Sequence, residues 1–461
     1  MLDRTNLSDG APSGNPRHCV RALTVVPMRA FPVLTVLVGV TAFVAPIEAQ
    51  RPVTIPAGLI EDVRYLSDDR LAGRLTGSPG ADSAAEYIAR RFVEAGLQPG
   101  REGWFQAFDI APDAPGVRRA KLPSMRGRNV IGILPGRDPV LRREAVIVGA
   151  HYDHLGSGEF GTLNPDSTGR VHNGADDNAS GTAALIHIAR TLAAAPPLRT
   201  VVFIAFSGEE LGLLGSAHYV KEPLYGLTGT VAMINLDMVG RLRNGRLIVY
   251  GTATAEEFPA LLDSLNWYQG FDLKKQGDGY GPSDQSSFYA MKRPVLHLFT
   301  DLHEDYHRTT DDWEKINFEG MARVISFTSG LAAALGSRTV PLTFVEVPVS
   351  ATHAMAERSD SLSAGSGRVV TQGYGAYLGS IPDMTSSPGG VKLMGVSKGG
   401  PAEKAGLLAG DIITRIGEHE VVDLQGMTVA LRSFRPGDST PITILRGTDT
   451  LKVDVTFGRR E

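Results

Sequence analysis

Several apolar runs of this sequence end in histidine or acidic residues. These residues are His151 and Asp153 after 144–150, Glu209 and Glu210 after 200–207, Asp237 after 230–236, and His303 and His307 after 294–300. Two further acids, Asp176 and Asp177, stand in "HNGADDNASG" (172–181), immediately before a helical pattern. Histidine and carboxylates without sulfur are the ligand set of a hydrolytic zinc, cobalt or manganese site, in which one carboxylate can bridge two ions ~3.5–4 Å apart. These residue types therefore predict metal-assisted hydrolysis.

The apolar runs themselves predict the sheet that must position these side chains. They are "NVIGIL" (129–134), "EAVIVGAHYD" (144–153), "TVVFIAFS" (200–207), "TVAMINLDMVG" (230–240), "RLIVYG" (246–251) and "PVLHLFT" (294–300). Unalternating Val- and Ile-rich runs between helical patterns are typical of an α/β fold with a mostly parallel sheet sandwiched by helices. In such sheets the site lies beyond the carboxyl ends of the strands, which is where the histidines and acids fall.

Composition excludes several classes of protein. The chain of 461 residues, 42% hydrophobic and 21% charged, has the length and balance of a soluble globular protein with two domains. Its formal charge of −4 and the lack of a basic run beside aromatic residues predict that it binds no nucleic acid. The single cysteine, Cys19, lies within residues 1–49. If that segment is removed, the mature chain has no cysteine, which excludes cysteine metal ligands, cysteine nucleophiles and disulfides.

The amino-terminal segment has the pattern of an export signal. Arg17, Arg21 and Arg29 precede the apolar run 30–45, and Ala49 is a small residue at a plausible cleavage point. We therefore expect residues 1–49 to be a signal peptide, with Met28 as an alternative start, and the mature protein to be periplasmic or extracellular. The apolar run is shorter than the ~20 residues of a membrane-spanning helix. An uncleaved anchor is the alternative, and only then do we expect contact with a membrane.

The remainder divides into two predicted domains. Residues 50–336 contain the apolar runs and the acids, and end in a helical pattern. Residues 337–366 are predicted to be a linker, because much of that segment is polar and rich in serine and glycine. Residues 367–461 return to short β-like runs separated by glycine and proline turns, which predict a small β-rich domain.

Five motifs, in this order, resemble peptidase family M28, the co-catalytic zinc aminopeptidases. They are "HYDHLG" (151–156), "NGADDNASG" (173–181), "FSGEELGLLGS" (206–216), "INLDMVG" (234–240) and "DYHRTTD" (305–311). The resemblance covers roughly residues 57–336 and implies a fold of the zinc-peptidase type. It also implies two Zn²⁺ ions, with Co²⁺ or Mn²⁺ as alternatives, and peptides as substrates.

The resemblance carries five metal ligands onto this chain, which are His151, Asp176, Glu210, Asp237 and His307. It implies that Asp176 bridges the two ions. Glu210 and His307 would complete one site, and His151 and Asp237 the other. Glu209, beside Glu210, is predicted to be the general base that takes a proton from the attacking water and passes it to the departing amine.

Supporting residues are predicted around these ligands. Asp153 and Asp311 are placed to accept the second ring N–H of His151 and His307. The resemblance further implies a cis peptide bond between Asp176 and Asp177, which makes Asp177 a third supporting residue.

A tyrosine in "GYGPSDQSSFY" (279–289) corresponds to one that stabilises the tetrahedral intermediate in the family, which makes Tyr280 an expected oxyanion donor. The family often has Ser-Asp-His in this segment, whereas this chain has Gln285 at the third position. Local hydrogen bonding near Tyr280 is therefore expected to differ.

Other histidines near the expected site have no assigned role, namely His154, His172, His187, His297 and His303. His187 is predicted to pack within a helix. His303 is the rival of His307, and the spacing to Asp311 favours His307. A serine hydrolase is disfavoured because no G-x-S-x-G elbow occurs in a predicted strand-to-helix turn.

The carboxyl-terminal segment resembles a PDZ domain of the kind attached to exported bacterial proteases, chiefly in "GGPAEKAGLLAGDIITRIG" (399–417). The resemblance implies that Tyr377, Leu378 and Gly379 form the loop that holds the carboxylate of a peptide, while the peptide adds a strand to the sheet edge. A blocked or purely structural groove is the alternative.

The function predicted from these observations is an exported, metal-dependent aminopeptidase. The alternatives on the same fold are a carboxypeptidase or a glutaminyl cyclase. The alternative from another class is a catalytically inactive peptide-binding protein, against which the complete set of candidate ligands argues.

Overall fold

The structure of the chain is a computed structural model. It describes residues 53–110, 112, 117, 125–163, 165–279, 283–347, 376–382, 389–396, 399–421, 427, 430–431 and 433–458. The predicted signal peptide and the polar segment 356–368 lie outside these residues, and their predicted roles stay predictions.

The helices are α1 (Leu59–Leu66), α2 (Pro79–Glu94), α3 (Gly181–Ala194), α4 (Leu214–Lys221), α5 (Phe258–Gln269), α6 (Gln285–Ala290), α7 (Phe318–Ser337) and α8 (Pro401–Lys404). The strands of the first sheet are β1 (Gln98–Pro99), β2 (Phe105–Ile110), β3 (Met125–Leu134), β4 (Ala145–His151), β5 (Thr200–Phe206), β6 (Thr230–Leu236), β7 (Arg246–Tyr250), β8 (Asp272–Lys275) and β9 (Val295–Phe299). Those of the second are β10 (Ser380–Pro382), β11 (Val391–Val396), β12 (Ile412–Ile416), β13 (His419–Glu420), β14 (Ser439–Arg446) and β15 (Asp449–Thr456).

The first sheet has the order β1-β3-β5-β4-β6-β9-β7-β8 in the part of the chain that the structure describes, with β2 paired to β3. The four central strands β5, β4, β6 and β9 are parallel to one another. Antiparallel pairings occur toward the edges, where β3 pairs with β5 and β7 with β9. The predicted mostly parallel sheet is therefore confirmed at its centre, and the sequence pattern did not reveal that the run 129–134 joins it in the opposite direction.

Helices cover both faces of this sheet. Alternate residues of the central strands point to opposite faces and therefore pack against different layers of helices. Val146 and Val148 of β4 belong to a core that includes α1, α2, α3 and α7. Their neighbours Ala145 and Ile147 belong to a second core with α4 and α6. Every side chain of β4 and β5 is buried, which explains why these strands are continuous apolar runs.

The second sheet lies in the carboxyl-terminal region and is antiparallel, with the order β10-β11-β12-β14-β15 among its described strands. It has a core of its own, in which Leu393, Ile413 and Ile444 are completely buried. The predicted small β-rich domain is thus present.

Part of the predicted linker belongs to the first domain. Phe344 and Val347 pack against the core that contains α4 and α6. The backbone N–H of Val345 donates to the carbonyl of Thr254, and that of Val347 to the hydroxyl of Tyr289. The sequence prediction overlooked this apolar strip, residues 344–347, because the polar composition of the linker begins only after it.

Among the described residues, no helix has the length and apolar character needed to cross a membrane.

Candidate metal centre

The predicted ligands meet at one edge of the first sheet because parallel neighbouring strands end there. β4 ends at His151, β5 is followed by Glu209 and Glu210, and β6 is followed by Asp237. The segment after β9 brings His307 to the same edge, where its Nδ1 lies 2.9 Å from the carbonyl oxygen of Gly161. Strand order, rather than proximity in sequence, assembles the cluster.

The carboxylate of Asp177 lies between two groups of side chains. Its Oδ1 is 3.3 Å from His151 Nε2, which is also 3.3 Å from Asp237 Oδ1. Its Oδ2 is 3.1 Å from His307 Nε2, which is 3.4 Å from Glu210 Oε2. Asp177 therefore presents one oxygen to each group, as a carboxylate that bridges two ions does.

Asp176, the predicted bridging residue, occupies a different position. Its Oδ1 accepts hydrogen bonds from the backbone N–H of Gly240 at 2.7 Å and from the hydroxyl of Ser180 at 3.0 Å. Its Oδ2 lies 3.1 Å from Nε2 of His303, the histidine considered as a rival of His307. Asp176 thus ties its loop to the segment after β6, and the bridging position falls to Asp177, which the sequence prediction had treated as a supporting residue.

The cis peptide bond is displaced by the same single residue. It joins Asp177 to Asn178, so the prediction of a cis bond between Asp176 and Asp177 is wrong by one position. The side chain of Asn178 anchors this turn, since its Nδ2 donates to the carbonyl of Leu236 and its Oδ1 accepts from the backbone N–H of Gly181.

Asp311 and Asp153, the two residues predicted to support histidines, accept hydrogen bonds from backbone N–H groups instead. The Oδ2 of Asp311 accepts from the backbone N–H groups of Asp176 and Asp177 at 2.9 and 3.1 Å, so it holds the turn that carries the central carboxylate. His151 Nδ1 lies 3.2 Å from the backbone oxygen of Asp153 and 3.8 Å from its carboxylate. A main-chain carbonyl is therefore the closest partner of that ring.

Glu209, the predicted general base, is anchored by its backbone. Its N–H donates to Asp153 Oδ1 at 3.2 Å, while Asp153 Oδ2 accepts from the hydroxyl of Thr76 at 2.9 Å. Burial raises the pKa of Glu209 well above its usual value, and the negative charges of Glu210 and Asp237 raise it further, although His151 opposes them. The pKa of Glu209 is thus shifted in the opposite direction to that of its neighbour Glu210.

The electrostatics of Glu210 and Asp177 differ from those of Glu209. Burial raises the pKa of both carboxyls, but it is outweighed: the charge of His307 brings the pKa of Glu210 to about 2, and hydrogen bonds from His151 and His307 hold that of Asp177 well below its usual range. The pKa of His307 is raised well above its usual value despite burial, because it faces these carboxylates. The site thus stabilises positive charge among ionised acids.

The donor set fits two divalent cations. Among the described residues, His151, Asp177 and Asp237 form one group of mutually close ligand atoms, and His154, Asp177 and Glu210 form another. The groups share Asp177 and contain no sulfur, which suits zinc, cobalt or manganese. Carboxylates crowded into a buried site also need a positive counter-charge.

Two residues near the centre had no predicted role. His154 is completely buried, and its Nδ1 lies 2.8 Å from Glu210 Oε1. Its place immediately after Asp153, close to the end of β4, was the available signal. Arg74 donates to the carbonyls of Tyr152, Asn173 and Gly174, and no motif or spacing indicated these contacts.

The remaining predicted residues lie elsewhere or outside the described chain. His187 is buried in α3, where its Nε2 lies 2.9 Å from the carboxylate of Asp62. Tyr280 lies outside the described residues, so its role as an oxyanion donor stays a prediction. In the second domain, Tyr377 pairs with Gly458, Leu378 is buried in the core, and Gly379 has a φ of 73° immediately before β10.

Comparison with known families matches both domains. Residues 129–331 match the family model of peptidase family M28, and residues 375–457 match that of the PDZ domain.

Among curated proteins, Aminopeptidase YwaD of Bacillus subtilis is 40% identical over 118 residues, which are 24% of this chain and 22% of that protein. Leucine aminopeptidase 1 of Uncinocarpus reesii is 30% identical over 224 residues, 44% of this chain and 53% of that protein. A probable zinc metalloprotease of Pyrenophora tritici-repentis is 36% identical over 129 residues, 26% of this chain and 28% of that protein. The chain thus spans between about a fifth and about half of the length of these relatives.

Among solved structures, a zinc aminopeptidase from Bacillus subtilis is 19% identical and has a TM-score of 0.49, with 64% of this chain and 99% of that chain covered. A glutaminyl cyclase from Porphyromonas gingivalis is 17% identical and also has a TM-score of 0.49, with 59% and 95% covered.

Proposed function

We propose that this chain, which carries a peptidase family M28 domain and a carboxyl-terminal PDZ domain, is an exported aminopeptidase that uses two zinc ions to release amino-terminal residues from peptides. The observation that carries the proposal is the position of Asp177, whose two oxygens face His151 and His307. The names of the aminopeptidase relatives support the class of substrate.

Each residue of the centre has a part in this reaction. His151, Asp177 and Asp237 would hold one ion, and Asp177, Glu210 and His307 the other. Ions bound there would polarise the scissile carbonyl and increase the acidity of the attacking water. Glu209 takes the proton of that water and delivers it to the departing amine, a part that its raised pKa supports.

Metal removal and a matched pair of variants test this function. Treatment of the full-length protein with a chelator should abolish hydrolysis of amino-acid p-nitroanilides, and zinc or cobalt should restore it. Glu209→Gln should keep both ions and lose at least ~10²-fold in kcat, the low end of acid–base contributions. Glu210→Gln should instead weaken metal binding, measured as bound zinc per chain.

The same assay contains the outcomes that contradict the proposal. Full turnover by a metal-free preparation, or near-normal turnover by metal-loaded Glu209→Gln, would place the chemistry elsewhere. Cleavage of amino-blocked peptides from the carboxyl end would indicate a carboxypeptidase, and release of ammonia from glutaminyl peptides a glutaminyl cyclase.

The PDZ domain and the amino-terminal segment complete the proposal. Within the described residues β10 is an edge strand, so a peptide can add a strand beside it and place its carboxylate at Tyr377, Leu378 and Gly379. Loss of binding when a test peptide is amidated at its carboxyl terminus checks this mode. Export rests on the signal pattern of residues 1–49, and the amino-terminal sequence of the mature protein checks it.

A further inference from the structure

The two carboxylate oxygens of Glu210 face two different histidines. Oε2 lies 3.4 Å from His307 Nε2, and Oε1 lies 2.8 Å from His154 Nδ1. Both histidines are also near Asp177, whose Oδ2 is 3.1 Å from His307 Nε2 and 3.8 Å from His154 Nδ1. One of these histidines is therefore a candidate ligand, and the other needs a different explanation.

The distances distinguish the role of His307 from that of His154. Two ligand atoms bound tetrahedrally to one zinc ion at ~2.0–2.1 Å lie about 3.3 Å from each other. The distances from His307 Nε2 to Asp177 and Glu210 match that spacing. The 2.8 Å between His154 Nδ1 and Glu210 is instead the length of an N–H···O hydrogen bond to a charged oxygen.

Packing keeps the ring of His154 in this position. The side chain is completely buried, and its backbone N–H donates to the carbonyl of Arg74 at 3.3 Å. Gly174 covers the ring: a Cβ there would lie 2.5 Å from the Cδ2 of His154, and the φ of Gly174 is 54°. A side chain at position 174 would collide with this imidazole and with the carbonyl oxygen of Asp177.

The surroundings of Nε2 indicate which nitrogen of the His154 ring carries the proton. His154 Nε2 is buried and has no hydrogen-bond partner among the described residues. With the proton on Nδ1, the ring donates to Glu210 and leaves only an acceptor unpaired. The opposite tautomer would bury an unpaired N–H and place two acceptors 2.8 Å apart.

We propose that His154 is a positioning residue whose Nδ1–H holds Glu210 Oε1, so that Oε2 is directed toward the ion that Glu210 shares with Asp177 and His307. The inference rests on the proposed function, because it takes the two-ion centre as its premise. Hydrogen bonds of this kind hold a ligating carboxylate in one orientation and contribute to the affinity of its ion.

Two substitutions of His154 in the full-length protein test this assignment. His154→Asn keeps an N–H close to the position of Nδ1, and His154→Leu has a similar size but no donor. Zinc affinities from titration of the metal-free protein should be close to wild type for His154→Asn. For His154→Leu, one ion should bind ~10- to 100-fold more weakly while the affinity of the other is unchanged.

The absorption spectrum of the cobalt-loaded protein distinguishes a positioning residue from a ligand. His154→Asn should keep the wild-type bands, whereas His307→Asn, the matched variant of a proposed ligand, should alter them because a nitrogen donor is lost. If His154→Leu does not fold, His154→Gln replaces it, since its amide nitrogen reaches the position of Nε2 rather than Nδ1.

Two results would overturn the inference. Equal loss of one ion in His154→Asn and His154→Leu, with altered cobalt bands, would make the ring itself a ligand. Unchanged affinities in both would show that Glu210 needs no second histidine. Failure of the proposed function is recognised separately, because the wild-type chain would then not bind two ions.

Discussion

At the scale of single residues, two adjacent aspartates have different tasks although they are chemically identical. Asp177 faces His151 and His307, one histidine of each proposed ion site, whereas Asp176 is bonded to Gly240, Ser180 and His303. Both carboxylates are buried, and because burial of a charge is costly, each is stabilised by its own hydrogen-bond and ion-pair partners. One holds the centre together and the other holds the loop that carries it.

Substitution of each aspartate by asparagine should separate these tasks. Asp177→Asn should weaken the binding of both ions, because a neutral amide replaces the shared charge. Bound zinc should therefore fall below two per chain. Asp176→Asn should keep two ions but lower the free energy of unfolding by ~1.5–3 kcal/mol, the contribution of hydrogen bonds to a charged group. Bound zinc and urea unfolding measure the two effects. Loss of zinc in Asp176→Asn with retention in Asp177→Asn would reverse the assignment.

At the scale of elements, one buried arginine joins the segments that carry the centre. Arg74 is 1% exposed and donates to the carbonyls of Tyr152, Asn173, Gly174 and Leu66. It thereby connects the end of β4, the turn before Asp177 and the end of α1. Burial lowers its pKa to about 10, and the charges of Asp177 and Asp153 counter that effect, so it remains a cation at neutral pH.

Arg74→Lys should destabilise the first domain even though it preserves the charge. Lysine has a single compact ammonium and cannot serve carbonyls of three segments, so the free energy of unfolding should fall by about 2–4 kcal/mol. The chain's three tryptophans, Trp104, Trp267 and Trp313, all belong to this domain, so their fluorescence during urea unfolding reports it alone.

Arg70→Lys is the matched control for this substitution. Arg70 pairs with Asp68 on the surface, where its side chain is 78% exposed, and we expect no measurable change in unfolding. Equal behaviour of the two variants would show that the buried hydrogen bonds of Arg74 do not hold the segments together.

At the scale of the whole molecule, the two domains have separate cores, and the proposed reaction uses only one of them. Every predicted ligand precedes residue 312, and the first described residue in the core of the second domain is Ala376. The first domain extends beyond α7, however, because Phe344 and Val347 pack on it. The chemistry should therefore survive loss of the PDZ domain, provided that this strip is kept.

Two truncated chains test the domain organisation. A chain that ends at residue 349 should hydrolyse small amides like the full-length protein. A chain that ends at residue 337 should be less stable by at least ~1.5–3 kcal/mol, the contribution of burying a side chain such as Phe344. Unfolding and p-nitroanilide turnover measure the two properties. A chain ending at 349 that folds and binds two ions but lacks turnover would show that the PDZ domain completes the active site.

The sequence by itself determined the fold class and the location of the chemistry. Buried parallel strands need continuous apolar runs, and the polar residues that end those runs must meet at one sheet edge. His151, Glu210, Asp237 and His307 could therefore be placed together from the ends of four runs and from the motif order.

Only the tertiary structure decided which neighbouring atoms face the centre. In the turn Ala175–Ser180, Asp177 and Asn178 have non-helical dihedrals, with φ of −107° and −135°, so no periodicity tells which aspartate points inward. Hydrogen-bond acceptors could not be assigned from spacing either, because Asp311 and Asp153 bond to main-chain groups. The contacts of His154 with Glu210, and of Arg74 with Asn173, join residues 56 and 99 positions apart, and the folding of the loops over the sheet brings such residues together.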